Sequence, residues 1–386
     1  MGSTCAAPAA SGAPRARPAP GRSCATRPDG ARAMPLHIGA YEGDGSDLAD
    51  LIGRSWRTAY AGKAWFPLWD RDYVAWRMMD PRILDRELMA CAYDGDALIG
   101  CLIGEEARFA IRGRSVPGSL TSYLSIAPET RHRGLALRLL DHQKRLHRER
   151  GLALSLGVTS TRPGSLAKRF WDSAAARRPE DVAFLRPLRM WSAVVDPPGV
   201  AAAGLDRLER LAPWLAAPLA AAARAWPRPP ARPFAAADLP ACAAWTEGRM
   251  QGAACRMAWS PARLSLQLDH PASHTLVFEE GGRATGFVAA YLIDWLGAAP
   301  VRVGFIELEG GEGGTAAAAR RLAAASRDLA ARGAQMNVVI DGGTAPGAAL
   351  LAAGFAPVDP HLVTVTLFPD PSLRLDARMP IHTAFT

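Results

Sequence analysis

Ser125 to Leu146 read "SIAPETRHRGLALRLLDHQKRL". An apolar, strand-like run ends at Ile126-Ala127-Pro128. A helix-like run begins at Leu135 and closes on Arg150-Gly151, the glycine acting as a C-terminal stop. Arg131, Arg133 and Gly134 stand between the two. A helix N-terminus presents free backbone N–H groups and a partial positive charge, so arginines there oppose the dipole. A bound anion explains their placement directly. Gly134 and Ala136 leave room for close approach, and the two guanidiniums can pair with a diphosphate. The stretch is therefore read as a phosphate-binding helix mouth.

The surroundings occur twice. "DLADLIGRSWRTAYAGKAWFPLWDRDYVAWRMMDP" (Asp47 to Pro81) is echoed by "DLPACAAWTEGRMQGAACRMAWSPARLSLQLDHP" (Asp238 to Pro271). Each has an Asp-Leu helix start, a central tryptophan (Trp56, Trp245), a second helix capped by Trp69-Asp70 or Trp259-Ser260, and a final proline. Each is followed by a hairpin, turning at Asp94-Gly95 or Gly281-Gly282. A third strand, a long helix ending on Arg-Gly, a fourth strand, a short helix and a last strand ("MWSAVV", "LVTVTLF") complete each copy. The fold class is α+β: two tandem modules, each a mixed, mostly antiparallel sheet with helices on both faces. The strand-helix-strand unit at the end of each should be a right-handed crossover with parallel strands. The boundaries fall at 1–33 for an Ala/Pro/Arg-rich tail and 34–196 for the first module. A connector with room for one helix spans 197–233, the second module 234–370, and a C-terminal tail 371–386.

Composition bounds the function. The chain has 386 residues and a net charge of +8, much of it in the tail and in the long helix after Gly134. No basic patch is interleaved with aromatics, so nucleic acid is not expected as a partner. No run is long and apolar enough to span a bilayer, and Gly2 lacks the Ser or Thr that an acylation signal needs, so no membrane partner is expected. The first 33 residues carry too little apolar surface to fold and lack the core of a secretory signal. The six cysteines show no metal-ligand spacing, so no metal is expected; Cys91 and Cys101 read as core residues of a cytoplasmic protein. Trp56, Trp65, Trp69 and Trp76 read as core, with an apolar acceptor wall as the other reading.

Arg131-His132-Arg133-Gly134-Leu135-Ala136, three residues after Ile-Ala-Pro and leading into an amphipathic helix, resembles the Arg-x-x-Gly-x-Ala acyl-CoA motif of the GNAT acetyltransferase superfamily. The hairpin before it and the strand and short helix after it fall in the family's order. The resemblance implies a bacterial-type, tandem N-acetyltransferase. Backbone amides from Arg133 through Gly134, Leu135 and Ala136 to Leu137 would cradle the pyrophosphate of acetyl-CoA. The main chain of Leu124 and Ile126 would bond the pantetheine arm, and a primary amine on a small molecule would attack the thioester.

Departures from the family pattern leave the proton-transfer groups open. The strand before the motif has no carboxylate, and Phe170 or Trp171 stands where many members place a tyrosine. Tyr123 and Glu105 are the candidates that remain. Tyr123 reads otherwise as a wall aromatic, and Glu105 as a solvated strand-end charge. The second copy has "EGGEGGTAA" (Glu309 to Ala317) at its helix mouth, without the arginines; counting back from the helix ends sets Arg131 against Gly313. That copy is read as degenerate, with Glu307 and Glu309 turned into solvent. The alternative function is a non-catalytic, CoA-binding regulatory protein.

Overall fold

The computed structural model describes residues 36–386 except 342–345, 374, 378 and 383–386, and only the backbone of His132 and Arg133; the tail before Leu36 lies outside the described residues. The first half runs β1 (His37–Gly39), α1 (Ser46–Tyr60), β2 (Phe66–Pro67), α2 (Arg71–Arg77), β3 (Met89–Asp94), β4 (Ala97–Ile111), β5 (Arg114–Ile126), α3 (Leu135–Arg150), β6 (Ser155–Ser160), α4 (Leu166–Arg177), β7 (Val182–Pro187) and β8 (Arg189–Val194). Two helices follow, α5 (Pro197–Ala203) and α6 (Arg207–Arg224), where the sequence suggested one. The second half repeats the plan: β9 (Ala231–Pro233), α7 (Leu239–Met250), β10 (Cys255–Ala258), α8 (Pro261–Asp269), β11 (Ser273–Glu280), β12 (Arg283–Leu296), β13 (Pro300–Gly311), α9 (Gly314–Ala331), β14 (Met336–Asp341), α10 (Gly347–Ala352), β15 (Ala356–Val358), β16 (Leu362–Leu367) and β17 (Ile381–His382).

The helices begin and stop for local reasons. Asp70 and Ser260 cap α2 and α8 with their side chains. Gly151 ends α3 at φ 64°, in the left-handed region that glycine enters without a steric cost. The hairpin between β3 and β4 turns at Gly95, also at positive φ. In each half the strand-helix-strand unit is parallel: β5 with β6, and β13 with β14.

The two sheets exchange strands. The first has the order β1-β3-β4-β5-β6-β16-β7, with β10 and β17 on the edge of β4. The second has the order β15-β8-β14-β13-β12-β11-β9, with β2 on β12. So "MWSAVV" does not close its own sheet. It lies antiparallel to β14, with Val194 opposite Met336. β16 returns the exchange, with Val363 opposite Thr159 of β6. The sequence reading placed each closing strand in its own module because an apolar strand carries no local mark of its partner. It also missed β7, which packs outside β16.

The helical pair of each half also reaches across. β2, between α1 and α2, pairs with β12 of the second sheet; β10, between α7 and α8, pairs with β4 of the first. Between these two grips lies a buried ionic cluster. Arg77 of α2 meets Glu307 of β13 at 2.6 Å and also Gln267 of α8. Arg263 of α8 meets Glu105 of β4. The repeat register sets Tyr73 against Arg263 and Arg77 against Gln267, so equivalent positions touch across the middle of the molecule. Burial, the largest single influence, would lower the Arg77 pKa, but Glu307, Tyr73 and Tyr291 together outweigh it and the net shift is upward. Arg263 is brought down to about 9 by burial and then by Arg77.

Behind the first sheet, the face of β5 and β6 toward α3 carries small polar groups. Ser119 Oγ lies 3.0 Å from His147 Nε2 and donates to Ser155 Oγ at 2.7 Å. Burial lowers the His147 pKa to about 4. The four described cysteines are buried, and burial raises the thiol of Cys101 to about 12.

Two outcomes follow. Arg77→Met leaves Glu307 buried without its cation and should cost about 3–5 kcal/mol of unfolding free energy, with Arg77→Met/Glu307→Leu costing less. Urea melts of both variants check this: a double variant no more stable than the single would show that the stranded charge is not the cause. The second outcome concerns acid. The folded His147 binds its proton near pH 4 and the unfolded one near 6.5, so its contribution is complete above the higher value and lost as pH falls toward the lower. Unfolding free energy should drop by about 3 kcal/mol at most from this group across that window. His147→Gln should flatten the slope, and an unchanged slope would assign the acid loss elsewhere.

Candidate functional site

β5 and β6 begin as a regular parallel pair, with Ser119, Leu120 and Thr121 opposite Ser155, Leu156 and Gly157, and then part. A bulge separates them. Ser122 pairs with Ile103 and Ser125 with Cys101, so Tyr123 and Leu124 together face Leu102 alone. Tyr123 takes φ 55°, a left-handed conformation that is strained for a bulky side chain. Past the bulge, Ala127 donates its N–H to Ile99 O at 2.8 Å. By antiparallel alternation the backbone of Ser125 also faces β4, and the N–H and C=O of Leu124 and Ile126 face the gap on the β6 side. These are two of the residues expected from the sequence to pair with a pantetheine arm through their main chain.

The gap opens onto the helix mouth. A 3-10 turn, Pro128–Arg133, feeds Gly134 at φ 67°, and among the described residues no side chain caps α3. The first turn holds no acidic residue, so the amides of Leu135, Ala136 and Leu137 keep their open, positive character. Arg131 is bound to α1, donating to Ser55 O at 2.9 Å. The side chain of Arg133 lies outside the described residues.

Aromatic rings wall the gap on the side of α1 and α2. Trp56 donates from Nε1 to Ser125 Oγ at 3.0 Å. Trp56 stands edge-on to Trp69 at 4.3 Å, and Trp69 edge-on to Tyr123 at 4.9 Å. Tyr60 packs on Trp56, and Phe66 on Tyr60. Trp76 is fully buried, while Trp56, Trp65 and Trp69 are half-buried against the same core, so the tryptophans are both core and wall.

Neither of the two predicted proton-transfer residues is free. Tyr123 is buried, and its hydroxyl donates to Tyr73 Oη at 3.4 Å. Burial, followed by the Tyr73 hydroxyl, pushes its pKa well above the ordinary value. It therefore stays protonated at neutral pH and can serve as an acid, not as a base. Glu105 is not a solvated strand-end charge: its carboxylate is held by Arg263 in the buried cluster, which leaves it poorly placed to take a proton. A cavity of about 10 Å³, room for roughly one water, is lined by Arg77, Ile103, Gly104, Glu105 and Ser122 beside the bulge.

The second helix mouth is closed by its own side chains. Gly313 at φ 87° takes the capping place of Gly134, and α9 is two residues longer than α3, so counting back from the helix ends set the wrong residues opposite each other. Glu309 is held by Arg321 at 2.6 Å and by Arg249; Glu312 is held by Arg283 at 2.6 Å and accepts from Arg321 through its carbonyl at 2.9 Å. The expectation that Glu307 and Glu309 turn into solvent is overturned, since their side chains are only 2% and 9% exposed. Counted from the strand pairs Ser119–Ser155 and Val303–Met336, Glu307 occupies the place of Tyr123, also at a bulge.

Sequence reasoning missed Tyr73, Arg77, Arg263 and Gln267. Their signal was present: charged or polar residues on the apolar faces of α2 and α8, at positions the repeat sets in correspondence.

A family model described as an acetyltransferase (GNAT) domain matches residues 51–170. No curated protein matches the chain by sequence. Among solved structures, the chain is similar to Saccharomyces cerevisiae N-myristoyltransferase with bound myristoyl-CoA, at 11% identity and a TM-score of 0.65 over 91% of this chain and 90% of that one. Structures of the same yeast enzyme with myristoyl-CoA and inhibitors give 11% identity and a TM-score of 0.63 over 91% and 87%. At such identity the likeness is one of fold, and it extends over both halves, whereas the family model covers only the first. Residues 51–170 thus match a GNAT acetyltransferase domain, and the chain as a whole has the fold of the yeast N-myristoyltransferase structures, built as two interlocked halves.

Proposed function

We propose that residues 34–196 bind a CoA thioester in the gap between β5 and β6 and pass a short acyl group, acetyl foremost, to a primary amine of a small molecule. The observation that carries this reading is the bulge at Tyr123 and Leu124. It frees a strand edge that leads straight to an uncapped helix mouth. A pantetheine arm needs such an edge, and a diphosphate needs such a mouth. The similar yeast structures hold myristoyl-CoA, which supports a CoA thioester donor. The family description and the close-packed rings of Trp56, Trp69 and Tyr123 favour a short acyl group over a long one.

In the reaction the amine nitrogen attacks the thioester carbonyl, the C–S bond breaks, and the thiolate takes a proton. Tyr123, kept protonated by burial, is the donor nearest the splay, and Tyr73 stands behind it to resupply the proton. The incoming ammonium loses one proton to water before the attack, and the nitrogen gives up a second as the amide forms, which restores the phenol. Holding the two reactants together supplies most of the acceleration. Residues 234–370 serve as the partner half: they brace α2 and supply β16, with their own mouth closed by Glu309 and Glu312.

Acetyl-CoA mixed with a panel of primary amines should release free thiol, and faster than myristoyl-CoA does; preference for myristoyl-CoA would overturn the short-acyl reading. CoA that binds without turnover on any amine would favour the regulatory alternative. Tyr123→Phe should lower kcat about tenfold or more with little change in the KM for acetyl-CoA. An unchanged kcat would remove Tyr123 from the mechanism. Arg131→Glu with Arg133→Glu should weaken CoA binding about tenfold, or roughly 1.4 kcal/mol, while Thr315→Glu at the second mouth should do little. Equal effects would show that both mouths bind.

A further inference from the structure

α6 is built the wrong way round for a helix that faces water. Its inner face is alanine: Ala216 and Ala217 pack on the core that the two halves share, and Ala220 and Ala223 on the core of the second sheet. Its outer face holds the large apolar side chains. Of the eight exposed large hydrophobic residues among those described, five lie on α6: Leu208, Leu211, Trp214, Leu215 and Leu219, from 38% to 78% exposed. The 208, 211, 215, 219 spacing places the leucines on one stripe. No charged residue falls between Arg210 and Arg224. Core packing cannot account for leucines and a tryptophan that point away from the core.

We propose that α6 is an interfacial helix that lays this face on an anionic lipid bilayer. A leucine and tryptophan face with arginines at its ends suits the headgroup boundary. Arg207 and Arg210 are exposed at one end, and Arg228 follows the other. The chain is basic overall at +8, and residues 1–35 hold five arginines against one aspartate. Positive charge on the chain adds attraction to acidic headgroups. A second copy of the chain fits less well. The exposed part of these five side chains amounts to about three whole ones, on the order of 500 Å². A standard protein interface takes about 800 Å² from each partner. No membrane partner is expected from the sequence because no run in it could span a bilayer. No helix among the described residues is long and apolar enough to cross a membrane, but an interfacial helix does not need to cross.

The full chain should co-sediment with vesicles of phosphatidylcholine and phosphatidylglycerol more than with phosphatidylcholine alone, and less as salt rises. Leu211→Glu with Leu215→Glu should weaken binding about tenfold or more at an unchanged Tm, because both side chains are exposed. Arg207→Glu with Arg210→Glu should weaken binding to the anionic vesicles only. If the leucine pair lowers Tm, Trp214→Ser reads the same face with a smaller change. No sedimentation with either vesicle, or leucine variants that bind as the parent does, would overturn the proposal. So would a parent dimer that the leucine variants convert to monomer, which would assign the face to a second copy. Binding lost on removal of residues 1–33 but untouched by the leucine variants would assign it to the tail.

Discussion

The exchange of β8 and β16 is the constraint on which the rest of this molecule depends. Each sheet is missing one interior strand that only the other half can supply. β16 lies between β6 and β7, and β8 lies between β14 and β15, so both are hydrogen-bonded on two sides. Removing either would leave an open slot lined by unpaired N–H and C=O groups, not merely a shorter sheet. The grips of β2 on β12 and β10 on β4 repeat this dependence on the other side, and the Arg77–Glu307 and Arg263–Glu105 pairs fill the space between them. The site in the first half is consequently braced from both edges by the second.

The two helix mouths show how one backbone plan serves two ends. Both begin on a left-handed glycine, and both follow a bulged strand. In the first half the bulge carries Tyr123 and the first turn of the helix holds no acidic residue. In the second the bulge carries Glu307, which is spent on Arg77, and the mouth is neutralised by Glu309 and Glu312 with three arginines. A carboxylate already seated among those arginines occupies the electrostatic role that a phosphate would need. The second mouth is a structural clasp built on a main chain that keeps the bulge and the left-handed glycine of the first.

Much of this was legible in the sequence. The repeat, the hairpins, the parallel crossover and the mouth at Gly134 all rest on short-range patterns: apolar period, turn glycines and capping residues. The strand position of Leu124 and Ile126 could be read because it follows from the place of one strand relative to one helix. The sheet to which "MWSAVV" belongs could not, because an apolar strand between two others looks the same whichever sheet it completes. Glu105, Glu307 and Glu309 were misjudged for a related reason. A charge at a strand end looks solvated until its partner, here an arginine 12 to more than 200 residues away, is brought against it. The reversed burial of α6 was also hidden, since alanine and leucine are both compatible with either face.

The interlock also sets an order on synthesis. The first sheet lacks β16 until the ribosome has passed Leu367, although its neighbour β6 is complete at Ser160. At roughly 5–20 residues per second the wait is on the order of 10 s or more. For that time the inner edge of β6 has no strand against it, and β8 has left the exit tunnel with no sheet to join. A nascent chain of this design therefore cannot bank its first half as a finished domain. It must hold two incomplete sheets apart until nearly its last residues, and then close both at once.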